Sequence, residues 1–462
     1  MAFSSISFLF YFLSLFFIIY YLIPARAKNV VLLAGSLFFY AWGEPRWILL
    51  LLASILVTWL LGRAMRPEAG AGRRRGLLIL GLVFQLGLLV AVKYAGFFFG
   101  AFIDLPKLHL PLGVSFYTFH AISYLVDVYR QKTPPQKNLL RLGLYLALFP
   151  KLVMGPIVPY HELEPALAQR TIDAQDVSDG CFRFTIGLAK KALLADALAG
   201  LVTGIWGDLA SLTVLSAWLG LIGYALQLYF DFSGYSDMAI GLGRMLGFRF
   251  PENFRYPYLC SSISDFWRRW HISLGSWFKE YLYFPLGGSR TGTLRTLRNL
   301  LLVWLATGLW HGASWNYVLW GLYFGVLICL EKLLAPRFRA HPRKGLLAGL
   351  YRPVCLLLAV LGWVLFRAED LPAAGRYFAC LFGGAAGASA QARLYLHDFW
   401  PVLLLGAVGA TPLCAKLAGR LGAKLQPGVR AAVQAVLVLA LLACSTVWLL
   451  NGSFQSFVYF QF

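Results

Sequence analysis

Long apolar stretches recur along the whole of this sequence, and no other feature constrains the fold as strongly. They lie at approximately 1–23, 30–43, 47–62, 76–100, 112–128, 139–158, 181–206, 212–230, 296–334, 347–366, 399–417 and 429–450. The stretch 296–334 is long enough for two spans, and we expect a break near Gly312. Only 13% of the residues are charged, about half of the usual share in a soluble protein. Because a spanning helix needs about 20 apolar residues, the sequence predicts an all-α, polytopic integral membrane protein with roughly 11–13 spans, the shorter segments being interfacial or re-entrant. No stretch is long enough for a separate soluble domain, so we expect residues 1–462 to form a single membrane-embedded domain.

The basic residues indicate how the chain is oriented in the membrane. The net charge is +21, and lysine and arginine are concentrated in short loops beside apolar stretches, as the positive-inside rule describes. This pattern favours a membrane protein over one that binds nucleic acid. The loops at 26–28, 63–75, 337–344 and 416–424 are therefore expected to be cytoplasmic, which places the N-terminus and the C-terminus outside.

One segment, residues 230–295, departs from the apolar pattern. It combines aromatic side chains with many charged ones, and a helix of this composition cannot face lipid. Polar backbone and charges at membrane depth have to be buried in protein or to line a water-filled cavity. Ser264 and Asp265 resemble an N-cap, so we expect one amphipathic helix from there to about Tyr283, at the cytoplasmic interface or dipping into it.

His311 is an ionisable residue in an otherwise apolar stretch. It lies in the sequence TGLWHGA, residues 307–313, and an ionisable residue at membrane depth is by default a candidate functional residue. Burial favours the neutral imidazole, the form that can take a proton from a hydroxyl group. A buried histidine that only hydrogen-bonds to a neighbouring helix would give the same pattern.

A second candidate, His271, follows a cluster of aromatic and basic residues. The cluster comprises Trp267, Arg268, Arg269 and Trp270. Such a cluster can attract a phosphorylated acyl donor at the cytoplasmic face. It can equally anchor and orient the chain at lipid headgroups, where these residue types are common.

Several other kinds of chemistry find no support in the sequence. It has no GxxxxGK[ST] motif of an ATP-driven pump and no GxSxG motif of a hydrolase. The seven cysteines form no CxxC pair, so the sequence predicts neither a metal site nor a disulfide framework. No bound cofactor is expected.

Three segments together resemble the membrane-bound O-acyltransferase family, and in particular its bacterial alginate O-acetyltransferase branch. They are QLYFDFSGYSDMAIGLGRMLGFRFPENFRYPY (227–258), SISDFWRRWHISLGSWFKEYLYFPLGGSR (262–290) and LWHGASWNYVLWG (309–321). The opening FSSISFLFYFLSLFFIIYYLIP and the FRA sequence at 366–368 are similar to that branch as well. The resemblance therefore spans nearly the whole chain.

The resemblance implies a fold and a site. In that family a ring of helices surrounds a thinned, funnel-shaped centre, and tunnels from both faces meet near a catalytic histidine. That histidine corresponds to His311, as general base, and the second signature histidine corresponds to His271, which would support or position the donor. The residues expected to bind the donor or support the site are Trp267, Arg268, Arg269, Trp270, Asn253 and Trp310.

The C-terminal tail carries a further candidate. Residues 457–462, FVYFQF, match an FxYxxF pattern of related acyl-export systems, in which the tyrosine is thought to carry the acyl group as an ester. Tyr459 is therefore a candidate acyl carrier. A phenol is a poor nucleophile without a base, and His311 would supply one if the tail folds back into the funnel. An aromatic residue that anchors the last helix at the membrane interface would give the same sequence.

The resemblance also implies an activity and its surroundings. The expected protein is an acetyltransferase of the bacterial inner membrane that moves an acetyl group from a cytoplasmic thioester donor, acetyl-CoA, across the membrane for O-acetylation of an exopolysaccharide such as alginate. An extracytoplasmic acetyltransferase partner and a polysaccharide export complex are implied with it. Two alternatives remain open: the same fold with D-alanyl or peptidoglycan-acetyl cargo, and a non-enzymatic transporter or scaffold in polysaccharide export.

Overall fold

The computed structural model describes residues 2–99, 110–290, 292–340 and 346–452. These residues form helices joined by turns and loops, with no β-strand among them, so the all-α prediction is confirmed. The chain groups into two compact units, one comprising Met1–Gly187 and Tyr235–Glu252 and the other Leu188–Gly234 and Asn253–Trp448. The single domain stays a prediction.

Aromatic stacking and ion pairs hold the first unit together. The Phe3 ring stacks on Phe8 and on Tyr235, with ring centroids 4.8 and 4.7 Å apart. Arg183 forms ion pairs of 2.6 Å with Asp237 and with Glu252. The helices that begin in this unit are Leu13–Leu22, Lys28–Gly43, Ile48–Ala64, Ala71–Leu89, Ala95–Phe99, Val114–Tyr129, Leu139–Ala147, Phe149–Leu152, Tyr160–Ala168 and Ala174–Ala189, with a 3-10 turn at Ala25–Ala27 and π-helical turns at Ser7–Phe12 and Val90–Tyr94.

The second unit contains both candidate histidines. The helices that begin in it are Asp196–Trp206, Val214–Met245, Ile263–Trp267, Ile272–Phe278, Thr293–His311, Trp315–Ala340, Leu346–Arg367, Leu371–Leu381, Ala390–Gly409, Leu413–Gly422 and Pro427–Asn451. It also has π-helical turns at Lys190–Ala195 and Lys279–Tyr283 and a 3-10 turn at Pro257–Leu259.

The described residues include five helices that are long and apolar enough to cross a membrane, or six crossings if the bent pair Ala390–Gly409 and Leu413–Gly422 counts as one. The five are Ala71–Phe98, Val214–Met245, Trp315–Leu334, Leu350–Arg367 and Pro427–Asn451. Since a helix satisfies its own backbone hydrogen bonds in lipid, the chain is a multi-pass membrane protein. The total of 11–13 spans stays a prediction, because many of the predicted segments form helices that are shorter than a full span or interrupted by turns.

The apolar stretch 296–334 forms two helices, Thr293–His311 and Trp315–Ala340, with the break beside Gly312 as predicted. The two helices lie close together at a pair of glycines. A Cβ atom on Gly308 would lie only 2.3 Å from the carbonyl oxygen of Tyr317, and one on Gly321 would lie 2.4 Å from that of Trp304. The absence of side chains at these two positions therefore fixes the distance between the helices and, with it, the position of His311.

The helix Val214–Met245 has 32 residues and extends well past the predicted stretch 212–230. Its Asp231 is buried and forms a 2.7 Å ion pair with the ammonium group of Lys191, which also contacts Asp196 at 2.7 Å. Buried charges persist when they are paired. This pairing allows a polar helix to lie inside the protein, as expected for the segment that starts at 230.

The expectation of one continuous helix from Ser264 to Tyr283 is wrong. A short helix, Ile263–Trp267, begins one residue after its N-cap Ser262, whose hydroxyl accepts a hydrogen bond from the Asp265 amide. The helix ends, and a second one, Ile272–Phe278, begins after His271, which has a left-handed φ of 46°. The cause is a tertiary contact, since the Ile272 amide donates to the carbonyl oxygen of Asn253 at 3.0 Å and not to the preceding helical turn.

Candidate active site

His311 is the last residue of the helix Thr293–His311, and the extended backbone of Gly312 ends the helix directly after it. The residue is 7% exposed. Its imidazole packs edge-on against the rings of Trp320 and Phe366, with centroids 4.8 and 5.0 Å apart. These rings restrict the rotation of the imidazole and keep water from its faces.

His271 lies in the turn between the two short helices and is 3% exposed. Its Nδ1 atom is 3.2 Å from Oδ1 of Asn253, an atom that also accepts hydrogen bonds from the amide and the hydroxyl group of Ser273. Because a backbone amide only donates, the shared atom is an oxygen, and Nδ1 of His271 donates to it. The other ring nitrogen, Nε2, therefore presents a lone pair.

The protonation state of His271 follows from its surroundings. Burial lowers the pKa of this imidazole to about 3, so the ring is neutral at physiological pH. Its Nε2 atom is buried and has no hydrogen-bond partner within the described part of the chain. A buried polar atom without a partner is uncommon, and at the wall of a cavity it is a candidate ligand contact.

The two histidines line the same cavity, which has a volume of about 280 Å³. Its wall is mostly apolar and aromatic, and Lys279 and Thr307 add polar groups. The Trp310 ring contacts both imidazoles, 4.8 Å from His311 and 6.0 Å from His271 between centroids. The fold thus brings together two histidines that are far apart in the sequence.

Trp267 and Trp270 form part of the wall of this cavity. The Trp267 ring packs against Trp304 and Phe324 at 4.7 and 4.8 Å between centroids. Trp270 packs against Trp363 at 4.8 Å. The four-residue cluster predicted around His271 therefore contributes its tryptophans to the cavity.

The arginines of that cluster are placed differently. Arg269 forms a 3.0 Å ion pair with Asp265 one helical turn before it, which stabilises the turn. Arg268 is exposed and lines a second cavity, of about 570 Å³. Tyr283 and Leu300 belong to the walls of both cavities, so Arg268 lies at the neighbouring space and not beside the histidines.

Glu331 supports this region, although the sequence analysis did not single it out. Its carboxylate accepts hydrogen bonds from the amides of Ile263 and Ser264 at 2.7 and 2.8 Å, and from the Tyr351 hydroxyl at 2.6 Å. It thereby caps the N-terminus of the helix Ile263–Trp267, where unpaired amides and the helix dipole favour an anion. The sequence feature that could have identified Glu331 is the presence of an acidic residue within an apolar stretch.

Tyr459 lies outside the described residues. Within the described ranges, no group of three or more His, Cys, Asp and Glu side chains is placed to hold a metal ion.

Comparisons of the amino-acid sequence with known proteins identify the family of this chain. The model of the membrane-bound O-acyltransferase family matches residues 37–348, a range that contains both histidines. The probable alginate O-acetylase of Pseudomonas aeruginosa is 43% identical over 396 residues, which cover 83% of this chain and 75% of that protein. The predicted resemblance is confirmed.

More distant relatives are named for another acceptor or for another acyl group. The peptidoglycan O-acetyltransferase of Helicobacter pylori is 35% identical over 415 residues, covering 81% of this chain and 78% of that protein. The teichoic acid D-alanyltransferase of Bacillus subtilis is 29% identical over 249 residues, covering 49% of this chain and 62% of that protein.

Proposed function

The chain belongs to the membrane-bound O-acyltransferase family, and from that premise we propose that it moves an acetyl group from a cytoplasmic thioester donor across the membrane for O-acetylation of an exopolysaccharide such as alginate. Membership of an acyltransferase family decides against the alternative of a non-enzymatic transporter or scaffold. The observation that carries the proposal is that His311 and His271 line one and the same cavity.

His311 acts as the general base. It takes the proton of the attacking hydroxyl group while the hydroxyl oxygen bonds to the thioester carbonyl carbon, after which the carbon–sulfur bond breaks and the thiolate leaves and is protonated. The edge-on packing of Trp320 and Phe366 supports this role because it holds the imidazole in one orientation. A largely apolar wall also excludes water, which would otherwise hydrolyse the thioester.

His271 positions the donor. Its buried Nε2 atom is an acceptor without a partner among the described residues, and leaving such an atom unpaired costs about 1–3 kcal/mol. A donor with amide N–H groups near its thiol end, as in the pantetheine arm of acetyl-CoA, would satisfy it. Asn253 fixes the tautomer through Nδ1, so it is a positioning residue for His271.

The charged end of the donor is assigned to basic residues at these cavities. Lys279 belongs to the wall of the histidine cavity, and Arg268 and Lys332 belong to that of its neighbour. Phosphate groups are attracted by such cations. This placement supports acetyl-CoA, approaching from the side on which the basic loops lie.

The wall of the histidine cavity favours an acetyl group over a D-alanyl group. A D-alanyl group carries an ammonium ion, which needs a carboxylate or a comparable acceptor when it is buried. No carboxylate occurs among the described residues that line this cavity, and Lys279 would repel the ammonium ion. An acetyl group is neutral and fits this wall without such a cost.

The remaining assignments follow from the family and from the charge pattern. The protein lies in the bacterial inner membrane with both termini outside, and it works with an extracytoplasmic acetyltransferase partner and a polysaccharide export complex. The acetyl group passes to Tyr459, or to a serine of that partner, before it reaches a hydroxyl of the polymer. Acetyl transfer to peptidoglycan is the alternative with the same donor chemistry.

The test is ester-linked acetate on the secreted polymer of a strain that lacks this gene. The strain is complemented with wild type, His311→Ala, His271→Gln or His397→Ala, at matched abundance in the membrane. His397 is the control because it is exposed, lies in the helix Ala390–Gly409 and is not among the residues that line the cavity. Acetate on the peptidoglycan is measured in the same cells.

We expect His311→Ala to abolish ester-linked acetate and His397→Ala to leave it at the wild-type level. For His271→Gln we expect a raised KM for acetyl-CoA in isolated membranes, since the residue positions the donor. Full acetylation by His311→Ala would refute the proposed base. Loss of acetate from peptidoglycan with an unchanged exopolysaccharide would refute the proposed polymer and favour the alternative.

A further inference from the structure

A large cavity of the first unit has no role in the proposed acetyl transfer. Its volume is about 1130 Å³, which exceeds the range of about 300–1,000 Å³ for pockets that hold a drug-sized ligand. The end of the helix Ile48–Ala64 and the loop before the helix Leu139–Ala147 both contribute to its wall. The cavity is therefore wide enough for the headgroup of a large ligand.

The wall of this cavity is strongly basic. Arg63, Arg66, Arg73 and Lys137 contribute four cations, and Glu68 is the one acidic residue among the described residues that line it. All five side chains are exposed. None of the four cations forms an ion pair or a side-chain hydrogen bond within the described ranges. The wall thus carries an excess of three positive charges, which attracts a ligand with more than one negative charge.

Two sides of the wall are held in place by contacts within the protein. The guanidinium carbon of Arg63 lies over the Trp59 ring, 5.1 Å from its centroid, and such a cation–π contact restrains the side chain. On the other side, the amide of Gln136 donates to the hydroxyl group of Tyr124 at 2.9 Å and fixes the backbone next to Lys137. A ligand therefore meets a partly preorganised site, which lowers the entropic cost of binding.

An apolar stripe leads into the cavity along the helix Ile48–Ala64. Leu52, Leu56 and Leu60 share one face of this helix because they are spaced four residues apart, and they are 40, 46 and 51% exposed. Leu60 also belongs to the wall of the cavity. In a membrane, exposed leucines of this kind contact acyl chains. The helix therefore presents an apolar track to lipid, and the track ends at a group of cations.

The track and the cations meet at the depth of lipid headgroups. Tryptophan, here Trp59, is a residue type that is common at the membrane interface, and arginine side chains near a helix end extend towards the headgroups. Under the positive-inside rule the loop 63–75 is cytoplasmic, and the cytoplasmic leaflet carries anionic lipids. Basic pockets on this side of a membrane suit headgroups that carry several phosphates.

We propose that this cavity binds an anionic phospholipid whose headgroup carries two phosphates, a lipid of the cardiolipin class. The phosphates contact the four cations, and acyl chains lie along the leucine stripe. Two phosphates balance the excess positive charge of the wall better than one does. The bound lipid anchors the end of the helix Ile48–Ala64 at the cytoplasmic leaflet. This inference does not depend on the proposed acetyl transfer, so either one can fail without the other.

A role of the same cations in membrane topology alone makes a different prediction. Under the positive-inside rule every arginine of the loop 63–75 contributes in the same way, whether or not it lines the cavity. A lipid site needs the cations of its wall. Arg73 and Arg75 separate the two roles: both are exposed near the start of the helix Ala71–Leu89, and of these two Arg73 alone lines the cavity.

The experiment titrates the purified full chain in detergent micelles with lipids and measures the dissociation constant of the first bound lipid by native mass spectrometry. The lipids are cardiolipin, phosphatidylglycerol, which has one phosphate, and zwitterionic phosphatidylethanolamine. Each basic residue should increase the affinity for an anionic lipid about fivefold. Three excess charges therefore predict that cardiolipin binds roughly 100-fold more tightly than phosphatidylethanolamine, with phosphatidylglycerol in between.

Matched variants test which cations form the site. Arg63→Gln and Arg73→Gln should each weaken cardiolipin binding about fivefold, and a triple variant that adds Arg66→Gln should lose most of the preference for cardiolipin. Arg75→Gln removes an equal charge and should keep the wild-type affinity. The substituted side chains are exposed, so all variants should keep the thermal midpoint of the wild type.

A second arm distinguishes a lipid from a soluble phosphate compound. Inorganic pyrophosphate has two phosphates and no acyl chain, so it should not displace cardiolipin even in large excess. Displacement at a similar concentration would show a site for a soluble phosphate compound and would overturn the inference. Equal affinity of the wild type for cardiolipin and phosphatidylethanolamine, or an equal loss of affinity in Arg73→Gln and Arg75→Gln, would overturn it as well.

Discussion

Replacing Gly308 by alanine tests whether the close helix contact sets the position of the base. A Cβ atom at this position would lie 2.3 Å from the carbonyl oxygen of Tyr317. Ordinary contacts of this kind are at least 3.4 Å, and the neighbour is backbone, so the two helices must separate by about 1 Å because cores are close-packed. His311 is the last residue of the displaced helix, one turn after the substitution.

The expected effects on stability and on activity differ in size. Overpacking destabilises the folded state by about 1–3 kcal/mol, whereas the higher helix propensity of alanine stabilises it by about 1 kcal/mol. The free energy of unfolding should therefore fall by no more than about 2 kcal/mol. A displacement of about 1 Å in a catalytic group can lower the rate about 100-fold. We therefore expect a folded variant with a strongly reduced rate of acetyl transfer.

The assay is the initial rate of acetyl transfer in membranes with matched amounts of protein, together with the thermal midpoint in detergent. Gly375→Ala is the control, since that glycine lies in the exposed part of the helix Leu371–Leu381 with nothing within 4 Å of an added Cβ. The control should keep full activity and be slightly more stable. If Gly308→Ala keeps a rate within threefold of the wild type, the reasoning from the helix contact is refuted.

Three further predictions concern buried charged and ionisable groups. Lys191→Met leaves Asp196 and Asp231 buried without their cation. It should lower the free energy of unfolding by about 3–5 kcal/mol, as measured by denaturation in mixed micelles. An unchanged free energy of unfolding would show that these ion pairs do not stabilise the fold. Glu331→Ala should lower the free energy of unfolding by about 1–3 kcal/mol, because the amides at the start of the helix Ile263–Trp267 lose their hydrogen-bond acceptor. Equal stability of this variant and the wild type would contradict the capping role. The pKa of His271 falls on folding from its ordinary value near 6.5 to about 3, so below pH 6.5 the unfolded chain binds a proton that the folded one does not. Stability should therefore fall from pH 6.5 downwards, by about 2 kcal/mol at pH 5, and His271→Gln should remove this part of the pH dependence; a variant with the same acid sensitivity would contradict it.

Local composition and spacing were enough to predict several elements. The apolar stretches predicted a helical membrane protein because a lipid environment leaves few other ways to pair backbone groups. The Gly312 break between two helices followed from a polar, glycine-containing interruption of an apolar run. His311 and His271 stood out because ionisable residues are expensive in such surroundings.

Other features depended on contacts between distant segments. The helix is interrupted around His271 because Asn253 binds the Ile272 amide and the imidazole. The hydrophobic periodicity of residues 264–283 does not indicate this contact, since Asn253 lies outside that segment. The pairing of Arg269 with Asp265 was foreseeable from their spacing, whereas the placement of Arg268 at a second cavity was not.

Single residues and short apolar runs already specify that this chain is helical, lies in a membrane and carries two unusual histidines, because each of these properties follows from a local gain or cost in free energy. The common cavity of the two imidazoles and the capping of the helix Ile263–Trp267 by Glu331 became visible only in the folded chain. Both features depend on distances between segments that are remote along the chain, and these distances are set by the packing of whole helices. The close helix contact at Gly308, which is possible because glycine has no Cβ atom, is one example.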